Sequence, residues 1–134
     1  MVKIVFVCVE NAGRSQMAAA FARRSARDGI EIASGGTRAA PRVHPVVVDA
    51  MKEVGIDLSR TVPRTITREE LLQSDIVVTM GCASGDVCPA TFRGDAVDWA
   101  LPDPNGQSLE DVRRIRDDIE RRVEKLLAEV AHGR

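Results

Sequence analysis

Lys3-Ile4-Val5-Phe6-Val7-Cys8-Val9-Glu10-Asn11-Ala12-Gly13-Arg14-Ser15-Gln16-Met17-Ala18-Ala19 is the stretch from which the rest of the chain is read. Ile4 to Val7 is a short β-branched and aromatic run that breaks off into small and polar residues, the pattern of a buried strand feeding a tight loop. From Ser15 onward Ala, Met and Phe recur at helical spacing, so the loop hands over to a helix. A strand, a loop and a helix N-terminus in succession make an anion site, because unpaired backbone N–H groups converge there and the helix dipole adds positive potential.

The residue types agree with that reading. Cys8 opens the loop and Arg14 closes it in the pattern C-x5-R-S. A helix N-terminus and a nearby cation favour the thiolate, so Cys8 is expected to be a nucleophile. Arg14 offers a planar fork of donors to two oxygens of a tetrahedral oxyanion. Asn11 suits a left-handed turn conformation and can fix the loop through its side chain. Gly13 lets the backbone come close to the anion. Ser15 can cap the helix or donate to the sulfur. Val9, Glu10, Asn11, Ala12, Gly13, Arg14 and Ser15 are therefore the expected oxyanion-binding residues. A lone cysteine at a strand end reads as a small buried hydrophobe, but the octet as a whole favours the nucleophile.

The remainder of the chain limits what this loop can serve. A length of 134 residues fits one domain, taken as 1–134, with a core that needs no staples. Nineteen basic residues against twenty acidic ones leave no basic stripe, and aromatics are 3% with no tyrosine, so nucleic-acid binding is not expected. No run approaches the roughly 18 apolar residues of a membrane span, and the N-terminal run is too short for a signal peptide. Three cysteines is an odd number, and their spacing fits no zinc pattern, so no metal is expected. A cytoplasmic protein with functional thiols, monomeric and without a bound cofactor, is the economical expectation.

Along the chain, a first helix over Gln16–Arg27 is followed by a short strand over Ile30–Ser34 that stops at Gly35-Gly36. Pro45 opens a helix running to about Val54, with Gly55 as its C-terminal cap. A short strand is expected near Arg64–Ile66. Thr67 and Glu70 form a capping box for a short helix, Asp75–Met80 is a buried strand, and Ala96–Trp99 is a final strand. Ser108 caps the last helix, whose apolar residues Val112, Ile115, Ile119, Val123, Leu126, Leu127 and Val130 form a stripe under a charged outer face. The alternation predicts an α/β, three-layer architecture: a four- to five-stranded, mostly parallel sheet with helices on both faces. Ligands in such folds bind at the carboxyl ends of the strands. Loops carrying Cys8, Cys82 and Asp103 each follow a strand and are expected to share one rim.

Cys82 and Cys88 sit six residues apart in a stretch with Gly and Ser. Such a stretch can bend to the roughly 4.4–6.8 Å Cα separation of a disulfide, and thiols that attack one another in sequence make a redox relay. Two plain loop cysteines are the alternative. Asp103, before Pro104, could protonate a departing oxygen as general acid, although Asp-Pro is also an ordinary turn pair. His44, ahead of Pro45, reads as a loop contact, His132 as part of a fraying tail, and Phe92 and Trp99 as packing residues.

Cys8–Ser15 resembles the phosphate-binding loop of low-molecular-weight protein tyrosine phosphatases, and Asn11-Ala12-Gly13-Arg14-Ser15-Gln16-Met17-Ala18 resembles the arsenate reductases that share that fold. Met51–Ser59, Ser74–Cys82, Cys88-Pro89, Trp99, Asp103-Pro104 and Val112–Ile119 extend the resemblance over nearly the whole chain. It implies a low-molecular-weight tyrosine phosphatase-like fold and a thioredoxin-coupled reduction of arsenate to arsenite. Cys8 attacks arsenate held by the loop amides and Arg14, and Asp103 protonates the leaving hydroxyl. Cys82 then attacks Cys8, and Cys88 carries the disulfide to Cys82–Cys88 for thioredoxin, or a mycothiol-type thiol, to reduce.

The best-known thioredoxin-coupled members have one more residue between the second and third cysteines. Potassium-binding members have acidic residues where this chain has Ala19 and Pro63. Phosphatases carry tyrosines after Asp-Pro, where this chain has Asn105-Gly106. A phosphatase for phosphotyrosine or small phosphoesters, needing only Cys8, Arg14 and Asp103, is the alternative, and a non-catalytic oxyanion or redox module the third.

Overall fold

The computed structural model describes residues 2–80 and 95–131. Four parallel strands form its sheet: β1 (Val2–Cys8), β2 (Ile30–Gly36), β3 (Ile76–Thr79) and β4 (Asp95–Asp98), in the order β2-β1-β3-β4. The helices are α1 (Arg14–Ser25), α2 (Pro45–Lys52), α3 (Arg68–Leu72) and α4 (Leu109–Ala131). This is the α/β, parallel-sheet arrangement expected from the alternation of elements, and it agrees with the fold that the resemblance to low-molecular-weight tyrosine phosphatases implies. Residues 64–66 do not form the expected strand, because their ladder is a single parallel bridge between Gly36 and Thr65.

Alternation along β1 divides the core between the two sheet faces. Ile4, Phe6 and Cys8 face a large apolar cluster built with Met17 and Phe21 of α1, Val47 and Met51 of α2, and Ile119 and Val123 of α4. Val5 and Val7 face a smaller one with Val77, Ile66 and Leu71. β1 is thus buried on both faces, which is why its sequence is a continuous apolar run. Polar ties fix the helices over the larger face. Arg24 of α1 pairs with Glu120 of α4 at 2.8 Å, and buried Arg116 of α4 donates to the Ala50 carbonyl near the end of α2, also at 2.8 Å.

The strand order positions the site. From β1 the chain passes through α1 to β2 on one side, and β3 pairs with β1 on the other, in register from Ile4↔Ile76 to Val7↔Thr79. Connections leaving the carboxyl end of the central strand therefore diverge, and a crevice opens above Cys8.

Candidate active site

Cys8 ends β1, buried, with Gly36 of β2 as its register partner. Beyond it the chain turns through Asn11 in the left-handed region at φ 52° and enters α1, with Gly13 as the N-terminal cap residue. The neighbouring segment 37–44 sets the polarity of this loop. Thr37, Arg38, Ala40 and His44 donate their amides to the carbonyls of Cys8, Val9, Glu10 and Ala12, at 3.2, 2.8, 2.9 and 2.9 Å. A planar trans peptide points its N–H opposite to its C=O, so carbonyls turned outward toward 37–44 turn the amides of Val9, Glu10, Asn11 and Gly13 inward. With the first amides of α1 they form a concave ring of donors, a nest for an anion.

Side chains lock the loop and orient the sulfur. The Asn11 Oδ1 accepts from Gln16 Nε2 and from the Arg64 backbone N–H, both at 3.0 Å. With its oxygen so engaged, the Asn11 amide nitrogen donates to Ser15 Oγ at 2.8 Å. The Ser15 oxygen thus accepts from Asn11 and hydrogen-bonds Cys8 Sγ at 2.8 Å, a geometry in which its hydroxyl can donate to the sulfur. The Asn11 backbone N–H gives the sulfur a second donor at 3.2 Å. Both contacts hold the sulfur in place at the end of β1. Behind the loop, Arg64 donates through Nη1 to the Ser34 carbonyl at 2.7 Å and pairs with Glu70. That Arg64 bond and the nearby Thr67 amide hold the Glu70 carboxyl below the ordinary carboxylate range.

Cys8, Val9, Glu10, Ala12, Gly13, Arg14, His44 and Asp103 line one cavity of about 140 Å³. Arg14 is buried, and its Nη1 donates to the Leu101 carbonyl at 2.8 Å. Asp103 lines the cavity while remaining exposed, and its Oδ1 accepts the Asn105 amide at 3.0 Å. The loop after β1 and the loop after β4 therefore meet, as their positions in the sequence lead one to expect. Cys82 and Cys88, with Phe92 and His132, lie outside the described residues.

His44 makes the expected loop contact, its amide on the Ala12 carbonyl at 2.9 Å, and also lines the cavity. Sequence reasoning also missed three supports. Gln16 and Arg64 hold Asn11, and Gly36 lies so close beneath the loop that a Cβ there would meet the Val9 carbonyl oxygen at 2.5 Å and the Asn11 nitrogen at 2.8 Å. The only local signal was the Gly35-Gly36 pair, which reads as a strand end. Trp99 packs as expected, its ring centroid 5.9 Å from that of Phe6.

Residues 3–134 match the family model described as low molecular weight phosphotyrosine protein phosphatase. A putative arsenate reductase of Halobacterium salinarum is 52% identical over 132 residues, covering 95% of this chain and 92% of that protein. A glutaredoxin arsenate reductase of Synechocystis is 38% identical over 133 residues, covering 98% of this chain and all of that one. Among solved structures, a thioredoxin-dependent arsenate reductase of Corynebacterium glutamicum superposes with a TM-score of 0.83 at 33% identity. It aligns with 100% of this chain, which spans 64% of that longer one.

Proposed function

The chain belongs to the low molecular weight phosphotyrosine protein phosphatase family, and from that premise we propose that it reduces arsenate to arsenite with Cys8 as nucleophile. The observation that carries this reading is the cavity itself. It has Cys8 under two hydrogen-bond donors, a ring of loop amides, Arg14 and Asp103, and a volume of about 140 Å³. That volume suits a bare tetrahedral oxyanion, and among the described residues no Phe or Trp lines it to stack on a phosphotyrosine ring.

In the proposed sequence the Cys8 sulfur attacks arsenic while the loop amides and the Arg14 fork take up the charge of the oxygens. The departing oxygen takes a proton from Asp103 and leaves as water, so an S–As bond replaces an As–O bond. The Cys82 thiolate then attacks the Cys8 sulfur. The S–S bond forms as S–As breaks, the electron pair of that bond stays on arsenic, and arsenite leaves. Cys88 attacks Cys82, moving the disulfide to Cys82–Cys88 and restoring Cys8. An external dithiol or thiol returns the electrons. Thioredoxin is the proposed donor, with a glutaredoxin–glutathione system or a mycothiol-type thiol as the competing classes. The relay belongs in a reducing compartment, the cytoplasm, where a resting disulfide does not persist.

A reductant-free turnover tests the reading. Fully reduced protein is mixed with arsenate, arsenite is quantified, and disulfides are mapped by mass spectrometry. Stoichiometric arsenite with a Cys82–Cys88 bridge is expected. Cys82→Ser and Cys88→Ser are each expected to lose multiple turnover with every donor class while Cys8 still reacts. No arsenite and three free thiols would transfer the site to phosphoester hydrolysis, which needs only Cys8, Arg14 and Asp103.

A further inference from the structure

The segment bearing Asp103 has two buried anchors, and both rest on the oxyanion loop. Leu101 and Pro104 are buried while Pro102, Asp103 and Asn105 between and beyond them are exposed. The first anchor is polar: the Leu101 carbonyl receives Arg14 Nη1 at 2.8 Å. The second is steric. A Cβ built on Gly13 would lie 2.7 Å from Pro104 Cγ and 3.4 Å from its Cδ, and next 3.6 Å from His44 Cδ2. The His44 distance is an ordinary contact, so the Pro104 ring is the one obstacle there to a side chain at position 13. The Pro104 ring thus occupies the space that a side chain on Gly13 would need.

Around the second anchor the segment is internally tied. Asn105 N donates to Asp103 Oδ1 at 3.0 Å, Gln107 Nε2 donates to the Asp103 carbonyl at 2.6 Å, and Gln107 N donates to the Pro104 carbonyl at 3.1 Å. Asp103 is adjacent to Pro104 in the chain, so a displacement of the ring carries the carboxyl with it. A general acid acts only within hydrogen-bond reach of the oxygen it protonates, and a misplacement of about 1 Å in a catalytic constellation can cost about 100-fold in rate.

We infer that Gly13 is a positioning residue: its missing side chain is the seat that lets Pro104 close on the oxyanion loop and sets the reach of Asp103 into the cavity. The inference rests on the reading of Asp103 as general acid. It gives Gly13 a second task beyond the close approach of its own amide to the anion, and it makes Arg14 and Gly13, neighbours in sequence, the two points through which the loop that binds the oxyanion also places the proton donor.

The test is a double-mutant design on the full chain, read as the single-turnover rate of arsenite formation, with inorganic phosphate protection of Cys8 against iodoacetamide as the measure of oxyanion binding. Gly13→Ala is expected to slow turnover about 10- to 100-fold, and to lose at least tenfold less in phosphate affinity, because alanine keeps the amide. Pro104→Ala removes the ring on the other side of the same contact, so adding Gly13→Ala to Pro104→Ala is expected to cost little more than Pro104→Ala alone. In an Asp103→Asn background, Gly13→Ala is expected to add nothing, the non-additivity of two changes acting through one group. The seat is overturned if Asp103→Asn is slow while Gly13→Ala runs at the parent rate, or if Gly13→Ala costs as much in the Pro104→Ala or Asp103→Asn background as in the parent. An Asp103→Asn protein as fast as the parent would remove the acid reading, and the seat with it.

Discussion

At the scale of single residues, a chain of hydrogen bonds runs from Gln16 and Arg64 through Asn11 and Ser15 and ends on the buried Cys8 sulfur. Asn11 can send its amide nitrogen to Ser15 only because Gln16 and the Arg64 backbone occupy its oxygen. Ser15, while accepting from Asn11, keeps its own proton available for the sulfur 2.8 Å away. Hydrogen bonds to charged groups contribute roughly 1.5–3 kcal/mol, so Ser15→Ala is expected to slow alkylation of Cys8 by iodoacetamide at neutral pH by about tenfold or more. Ser15→Thr, which keeps the hydroxyl, should retain most of the parent rate. Equal rates in parent and alanine variant would mean that the hydroxyl does not stabilise the thiolate. Asn11 and Ser15 were legible in the sequence because their roles follow from side-chain chemistry within a few residues of Cys8. Gln16 and Arg64 were not, since one reaches back into the loop and the other arrives from a segment 53 residues away.

At the scale of elements, the helices are joined by charged side chains as well as by the core. Glu53, just beyond α2, takes Arg113 of α4 in a two-pronged pair and also Arg116 at 2.8 Å. The hydrogen bonds from Arg113 and then Arg116 pull its carboxyl from 4.5 down to about 2. Below about pH 4.5 the unfolded chain protonates Glu53, whereas the folded chain resists until about pH 2. The stabilisation from this carboxylate is therefore full above pH 4.5 and lost as pH falls through that window. Parent protein should melt above Glu53→Gln near neutrality, and the gap in Tm should shrink between pH 5 and pH 2. It should be modest throughout, because the group is partly exposed and screened. A gap that stays constant with pH would deny the linkage. The caps were readable from sequence: the Thr67 and Ser108 hydroxyls accept the Glu70 and Asp111 amides at 3.1 and 3.2 Å. The absence of the expected strand at 64–66 was not, because the backbones of Arg64 and Ile66 pair with β2 only at Gly36, its last residue, where the ladder ends.

At the scale of the whole molecule, the site depends on how closely β2 lets the oxyanion loop lie across its end. A Cβ on Gly36 would strike backbone atoms of Val9, Glu10 and Asn11 at 2.5–3.0 Å, and backbone cannot swing aside as a side-chain tip can. Gly36→Ala is expected to destabilise the fold by about 1–3 kcal/mol, the usual range for overpacking. It should also weaken phosphate protection of Cys8, measured by thermal unfolding and iodoacetamide labelling respectively. A variant as stable as the parent, with intact protection, would show that the loop can lift without loss.

The sequence by itself determined the alternation of the main strands and helices, the burial of β1 and the strand–loop–helix passage over Cys8–Ser15. Periodicity, capping and side-chain type act over a few residues and are written into local order. Only the tertiary structure decided that Gly36 is a floor, that Arg64 and Gln16 lock Asn11, that His44 lines the cavity, and that Pro104 closes on Gly13. Each of these is a contact between segments whose approach is set by sheet register and by the crevice above β1, and steric exclusion at such distances leaves no trace in a sequence beyond the glycine that permits it.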